Sequence, residues 1–446
     1  MNTLKAGFSR VNITPALGTD ISGYYIPRKA ETILDELEIV GLALSCGENK
    51  VVFLSVDNLG IPTNVVTPMR ENVAKVTGLP MDAIYIHSTH THTGPTLMND
   101  AEGELEIEYR QMVHRKMADA AVMALADLQD AKLGYGIGQA PNVAFVRRFR
   151  MKDGSVKTNP GVNNPDIVAP IGDVDERVNV IRIDRADDSL VVVNFGNHPD
   201  AVGGCMISAD WPGFTRRIVE QVLPGTKCIF FNGAQGDVNH VNVRPSGGDF
   251  NGLEEGFDGV SRGYAHSRYI GRVVAAAVLQ AFDKVNYTDV DSIRFAKKLV
   301  RVPSSRPTAE QLPEAHRIND LHNAGRDDLL PYTGMMLTTV VAEAARMVRL
   351  ENGPDFFDLP LYAIAIGDLA FIGLPGEPFT GIGRGLKEAS GWDLVLPTCS
   401  TNCYEGYFPM QDAYDEGGYE ARSSEYQAGV AEKLIEEGKA LLDSLR

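Results

Sequence analysis

Cysteine is scarce in this chain. Five residues, Cys46, Cys205, Cys228, Cys399 and Cys403, are scattered over 446 positions, and an odd, dispersed set makes no disulfide framework. Cys399 and Cys403 stand four apart, but no second Cys/His pair accompanies them to complete a metal site. No apolar run reaches transmembrane length, and the opening MNTLKAGFSRVNITP has no leader-like apolar stretch. The expectation is therefore a cytoplasmic protein without stable membrane insertion, unless a leader has been removed. Positive charge is in deficit: 42 Lys and Arg face 59 Asp and Glu, a net charge of −17. That balance argues against nucleic acid as a partner, which needs clustered basic residues, and against tight binding to anionic membranes. Internal repeats and low-complexity segments are also missing from the sequence.

What is present is an ordinary globular balance, 44% hydrophobic and 23% charged. Short runs rich in Val, Ile and Phe predict buried strands at 39–46, 50–57, 83–89, 178–184, 189–196, 227–233 and 369–376. Helical spacing predicts helices at 104–129, 213–223, 264–283, 336–350 and 425–446. This mixture implies an α/β or α+β domain: a layered mixed β-sheet core with flanking helices. There is no clean βαβ alternation, and no linker divides residues 1–446. The polar, proline-bearing stretch 303–335 is the best candidate for an inserted element, either a lid, an oligomer contact or a plain surface helix with loops. A homo-oligomer is compatible with such an insertion.

The chemistry concentrates where strands end. His87, His90 and His92 fall within IYIHSTHTHTGPT, directly after a strand. In an extended segment His90 and His92 would face one side, and neutral imidazole is the common nitrogen ligand of zinc. The competing reading is imidazoles bonded to nearby backbone. His198 follows the strand 189–196 and Asn197, where a lone histidine is more often structural; its weight rises because His90 and His92 need a third ligand from elsewhere. Glu377 sits between Gly376 and Pro378. A carboxylate there must be solvated, paired or metal-bound, or else cap the helix expected near Thr380. The loop FNGAQGDVNHV carries Asp237, Asn239 and His240, and FVRRFRMKDG carries Arg147, Arg148 and Arg150. Either segment could receive a substrate oxyanion or serve as a turn or surface ion-pair cluster. Composition alone does not single out Tyr419.

In order along the chain, ITPALGTDISGY, STHTHTGP, NHPDAVGGCMISADWPG, GAQGDVN, LPGEPFTGIGRGLKE and GGYEARSS resemble the motifs of the neutral/alkaline, non-lysosomal ceramidase family. The resemblance implies a zinc-dependent amidase and covers the family's N-terminal catalytic domain, with no C-terminal immunoglobulin-like domain expected here. It implies Zn2+ held by His90, His198, Glu377 and Tyr419, with His92 left free for protons or substrate. The family's arginine would fall on Arg147, less surely on Arg148. Two positions depart from the pattern: Asn239 and His240 stand where the family has serine and proline. A serine nucleophile is thereby excluded at that point, and a metal-activated water takes its place.

The expected activity is hydrolysis of the amide of an N-acylated small molecule. His92 would act as general base and then acid, Tyr419 and Arg147 would stabilise the oxyanion, and Arg148, Asn197, Asp237 and Asn239 would bind or orient substrate. Two alternatives stand beside it. The same metal site could act on a soluble ester, lactone or sugar-derived compound, or the chain could be a non-catalytic metal or carbohydrate binding protein. An apolar groove at the site would favour a lipid substrate, and a small polar pocket a soluble one.

Overall fold

The computed structural model describes residues 3–98, 101–245 and 262–446. Three principal sheets with flanking helices make up the described chain, as an α/β layered core requires. In the first, Ile84–Ser88, Asn49–Val56, Glu38–Cys46, Lys5–Asn12 and Gln129–Asp130 lie side by side. The second runs Thr226–Asn232, Ser189–Phe195, Arg177–Asp184, Lys132–Gln139 and Asn286–Thr288. The third runs Ile293–Pro303, Phe356–Ile366, Leu369–Gly373 and Leu394–Thr398.

These sheets share one plan, although the sequence betrays no repeat. Each begins with three antiparallel strands, crosses through a helix and adds a strand parallel to the third. The crossover helices are Thr63–Thr77, Asp210–Val222 and Thr380–Lys387. A longer helix then closes each unit: Glu104–Ala126, Tyr264–Phe282 and Val430–Asp443. The largest core cluster joins residues from all three sheets, including Phe53, Tyr85, Phe231 and Phe371. Their rings meet at 4.7–6.5 Å, the separation of favourable edge and offset contacts.

In every unit the longest excursions separate the first strand from the second, at 13–37, 140–176 and 304–355. The expected insertion 303–335 starts on the last residue of the strand Ile293–Pro303 and covers only the first part of this last excursion. The excursion is a helical hairpin of Leu312–Asn323 against Gly334–Leu350 with its own small core of Ala315, Ile318, Leu330, Val341, Ala344 and Met347. His322 Nε2 lies 3.0 Å from the carbonyl of Tyr25 in the first excursion, so two of the excursions touch.

Glycine shapes one of these layers. In the strand KLGYGIGQ, a Cβ at Gly138 would stand 2.0 Å from the Ala277 carbonyl oxygen, and one at Gly136 3.2 Å from the Ala281 Cβ. The helix Tyr264–Phe282 therefore lies directly on the strand backbone. Gly138→Ala is expected to cost about 1–3 kcal/mol, because backbone rather than a flexible side chain must yield. A thermal or urea melt of the variant checks this.

Candidate metal centre

The ends of these strands converge and are laced together. Asn232, the last residue of its strand, donates through Nδ2 to the carbonyls of Thr89 and Asn197, both at 3.1 Å, and its N–H reaches His87 Nε2 at 3.0 Å. The N–H of Cys399 meets the Asn232 carbonyl at 3.0 Å, and that of Ser88 the Ser400 carbonyl at 3.2 Å. His87 is thereby consumed in the core, and burial pushes its imidazole down to about 3. It belongs to the scaffold.

His90 does not sit on a strand. The strand ends at Ser88, and His90 takes φ 73°, a left-handed conformation that costs a β-carbon-bearing residue roughly 1–3 kcal/mol. The alternation argument for His90 and His92 therefore does not apply, although the two rings do come together. A bent loop, not a flat strand, turns the two rings toward each other at 5.0 Å. The His90 N–H bonds the Asn58 carbonyl at 2.8 Å, and its Nδ1 the Leu59 carbonyl at 2.7 Å. Behind them Asp57 is clamped by Arg216 at 2.6 Å and accepts from Thr89 at 3.2 Å.

His198 Nδ1 points at the carbonyls of Gln235 and Val238, at 2.9 and 3.0 Å. Carbonyls only accept, so Nδ1 carries the proton in both His90 and His198. Each Nε2 then presents a lone pair, and both lone pairs face Glu377 Oε2, at 3.3 Å from His90 and 3.1 Å from His198. Neither His90 Nε2 nor Glu377 Oε2 has a hydrogen-bond partner, although both are buried. Burial opposes the charge of Glu377, and only protonated histidines beside it would hold its carboxyl low. Burial and Arg147 push His198 down in turn. A carboxylate oxygen and two neutral lone pairs thus converge, an arrangement that calls for a cation. The separations also fit one: bonds of about 2.0–2.1 Å in a tetrahedral site set ligand atoms roughly 3.3 Å apart. The donor set, two imidazoles and one carboxylate, suits zinc.

His92 stands beside this trio. Donor atoms of His90, His92 and His198 all lie within 4.8 Å of one another, so His92 is geometrically able to join as a ligand. The distances from Glu377 Oε2 to His90 and His198 are shorter, at 3.3 and 3.1 Å. Neither ring nitrogen of His92 has a hydrogen-bond partner, and Asp200 Oδ1 is 3.8 Å from Nδ1. Burial pushes the ring down to about 3, with Asp200 opposing. Gly23, at φ 115°, packs so closely that a Cβ there would lie 2.8 Å from His92 Nδ1.

Arg147 reaches the same centre. Its Nε donates to Glu420 at 2.6 Å, its Nη2 to the Gly236 carbonyl at 2.7 Å, and its Nη1 lies 3.5 Å from His198 Nε2. Arg148 does not reach the centre. It is buried against Glu416 at 3.1 Å and Asp412 at 3.7 Å. Asp237 accepts from the N–H and hydroxyl of Thr380, at 2.7 and 2.9 Å, holding the start of the helix that follows Glu377. Asn239 is spent on Asn159 and the Val241 N–H, both at 3.0 Å. These bonds give Arg148, Asp237 and Asn239 structural employment in place of open substrate contacts. Asn197 keeps its Oδ1 unpartnered while Nδ2 meets the Val143 carbonyl at 3.1 Å.

Two tyrosines that sequence reasoning passed over stand closest to the trio. Tyr404 donates to Glu377 Oε1 at 2.7 Å. Tyr407 stacks on His198 at 6.5 Å and lies 5.4 Å from the Arg147 guanidinium. Tyr419 packs edge-on behind Tyr407 at 5.6 Å, its hydroxyl 3.5 Å from that of Tyr25. Burial raises both phenols well above their usual range, so both remain neutral donors. The signal available in the sequence was the CYEGY segment one turn after the strand Leu394–Thr398. The short strand pair Glu377–Pro378 with Tyr407–Phe408 fixes it beside the carboxylate.

The chain is a mixed-sheet fold in which two histidines and a carboxylate gather at strand ends. No protein-family profile and no curated protein sequence matches the chain. Its fold is that of solved ceramidases. The neutral ceramidase of Pseudomonas aeruginosa superposes with a TM-score of 0.72 at 18% identity, over 100% of this chain and 75% of that one. A ceramidase complexed with C2 gives 0.72 at 15%, over 100% and 76%. Among the described residues no helix is long and apolar enough to cross a membrane.

Proposed function

We propose that this chain is a zinc-dependent hydrolase that cleaves the amide of an N-acylated small molecule. The observation that carries the reading is the convergence of His90 Nε2, His198 Nε2 and Glu377 Oε2, while both Nδ1 atoms face backbone carbonyls. The whole-chain likeness to ceramidase structures supports an amide as the bond attacked. His90, His198 and Glu377 would hold the metal, which supplies Lewis-acid polarisation of the carbonyl and a water of lowered pKa. Tyr404 fixes the carboxylate through Oε1 and leaves Oε2 for the cation. His92, backed by Asp200, takes a proton from the attacking water and returns it to the leaving amine. Arg147 and the neutral phenols of Tyr407 and Tyr419 bring positive charge and hydrogen-bond donors to the developing oxyanion.

The two phenols are separable. Tyr407 is the ring against His198 and Arg147, whereas Tyr419 lies one ring further out. Tyr407→Phe is expected to lower kcat by about 10²–10³, the effect of removing one oxyanion donor, and Tyr419→Phe by less. Equal losses, or a larger loss at Tyr419, would return the principal phenol role to Tyr419. The activity itself is tested on the purified protein, with and without a chelator, against N-acyl amines, esters and lactones. Chelator-sensitive cleavage of the amides supports the proposal. Cleavage of esters or lactones alone moves the substrate class, and metal binding without any hydrolysis leaves a binding protein.

A further inference from the structure

The third excursion grips the first through His322. From the hairpin helix Leu312–Asn323, this ring turns Nδ1 to the two carboxylate oxygens of Asp327, at 3.0 and 3.2 Å, and Nε2 to the carbonyl of Tyr25 at 3.0 Å. Carboxylates and carbonyls only accept, so both bonds exist together only when both ring nitrogens carry protons. A neutral imidazole has one proton, and the carboxylate keeps it on Nδ1, where the bond is charge-assisted. Nε2 then turns a lone pair toward the Tyr25 carbonyl, and attraction gives way to repulsion.

The segment held in this way lies on the candidate site. The Ile21 N–H meets the Arg28 carbonyl at 2.9 Å and closes the neck of the loop 21–28. Three consecutive residues of its tip touch the site. The backbone of Gly23 covers His92, where a Cβ would stand 2.8 Å from Nδ1. Tyr24 donates its hydroxyl to Asp200, the carboxylate 3.8 Å from His92 Nδ1, and Arg262 braces that hydroxyl and Asp200, both at 2.5 Å. The Tyr25 hydroxyl lies 3.5 Å from that of Tyr419, while its ring is 42% exposed at the rim. One short loop therefore reaches both the His92 side and the phenol side of the site.

Among the described residues the charged partner of His322 is Asp327. Charges on the surrounding elements are paired elsewhere. On the hairpin, Arg326 meets Asp328 at 3.0 Å, and Glu343 and Arg349 meet Arg422 and Glu425, both at 2.5 Å. Beside the loop, Lys29 meets Asp20 at 2.7 Å, and Arg28 gives its guanidinium to the carbonyls of Gly204, Ser22 and His92.

We propose that His322 is a positioning residue for the hydrolytic centre: its doubly protonated form pins the loop 21–28 over the site, and loss of one proton releases the tip. The first excursion is then the cover, and the hairpin of the third is its mooring. The inference rests on the reading of the neighbouring trio as a hydrolytic centre.

Chymotrypsin, which cuts after tyrosine, reads the pin on the full chain, with the cut after Tyr25 identified by mass. At about pH 6 the wild type is expected to be cut there at least about tenfold more slowly than His322→Leu, the effect of one hydrogen bond from a charged donor on the open population. At about pH 8.5 the two rates converge, because the wild-type ring has lost the proton that made the bond. The ratio at each pH cancels the protease's own pH dependence. Equal rates at the lower pH, or a ratio unchanged between the two, overturns the pin. Should His322→Leu not fold, His322→Gln takes its place. Its amide N–H can meet the carbonyl but does not titrate, so the wild type must lose protection relative to it as pH rises. An unchanged ratio again overturns the pin. Hydrolysis is read separately at the lower pH and at equal zinc content. His322→Leu is expected to show a kcat at least about threefold below the wild type, since misplaced supporting groups slow the reaction. Equal kcat overturns the positioning role. If neither protein cuts any amide, the hydrolase reading fails and the pin stands on the proteolysis.

Discussion

Glu377→Ala is expected to abolish hydrolysis, with kcat/KM falling by at least about 10³. A metal contributes several kcal/mol of charge stabilisation to such a reaction, and each 1.36 kcal/mol is a factor of ten. The same change should not weaken the metal-free protein. Glu377 is 1% exposed, and its carboxylate faces two lone pairs, so in the absence of a cation its removal relieves an unfavourable buried charge. Wild type and variant therefore respond to zinc differently. Wild-type protein should gain stability as zinc is added, by the linkage between binding and folding, and the variant should not. Parallel zinc-dependent melting shifts in both proteins would place the metal away from Glu377.

Arg147→Ala is the second large effect. Loss of the guanidinium beside His198 is expected to lower kcat by about 10²–10³. It also strands Glu420, whose side chain is 0% exposed and which pairs with Arg147 at 2.6 Å. Breaking a buried pair from one side costs roughly 3–5 kcal/mol. A lower kcat could then reflect a damaged fold. The double variant Arg147→Ala/Glu420→Gln separates the two causes, since it removes the stranded charge without restoring the guanidinium. Stability should largely return while kcat stays low. Recovery of kcat with stability would make Arg147 a scaffold residue only.

Much of the fold was legible because burial writes itself into composition. The runs at 39–46, 50–57, 178–184 and 189–196 became the strands Glu38–Cys46, Asn49–Val56, Arg177–Asp184 and Ser189–Phe195. The helices expected at 104–129, 264–283 and 336–350 are Glu104–Ala126, Tyr264–Phe282 and Gly334–Leu350. Three of the strands that escaped notice break the buried-run signature. Lys132–Gln139 alternates glycine for a close helix contact, Ile293–Pro303 is half exposed and carries Lys297, Lys298 and Arg301, and Phe356–Ile366 has Pro360 within it. The helix Thr63–Thr77 contains Pro68, which masks helical spacing. The threefold succession of strands was invisible because topology repeats while side chains do not.

The candidate site was legible one residue at a time. His90, His198 and Glu377 each follow a strand end, and the structure brings all three together. What the sequence hides is how a loop is bent and which polar side chains are already occupied. His90 depends on a left-handed turn. Asp237 and Asn239 resemble substrate contacts until their bonds to Thr380 and Asn159 are seen. Tyr404 and Tyr407 enter only through the pairing of their segment with Glu377–Pro378.

Elemental analysis of the purified protein tests the central claim most directly. The account predicts about one zinc per chain in the wild type, removed by a chelator together with hydrolytic activity, and no stoichiometric zinc in His198→Ala. Wild-type protein that holds no stoichiometric metal yet hydrolyses its substrate, or a His198→Ala variant that retains both zinc and activity, would contradict it.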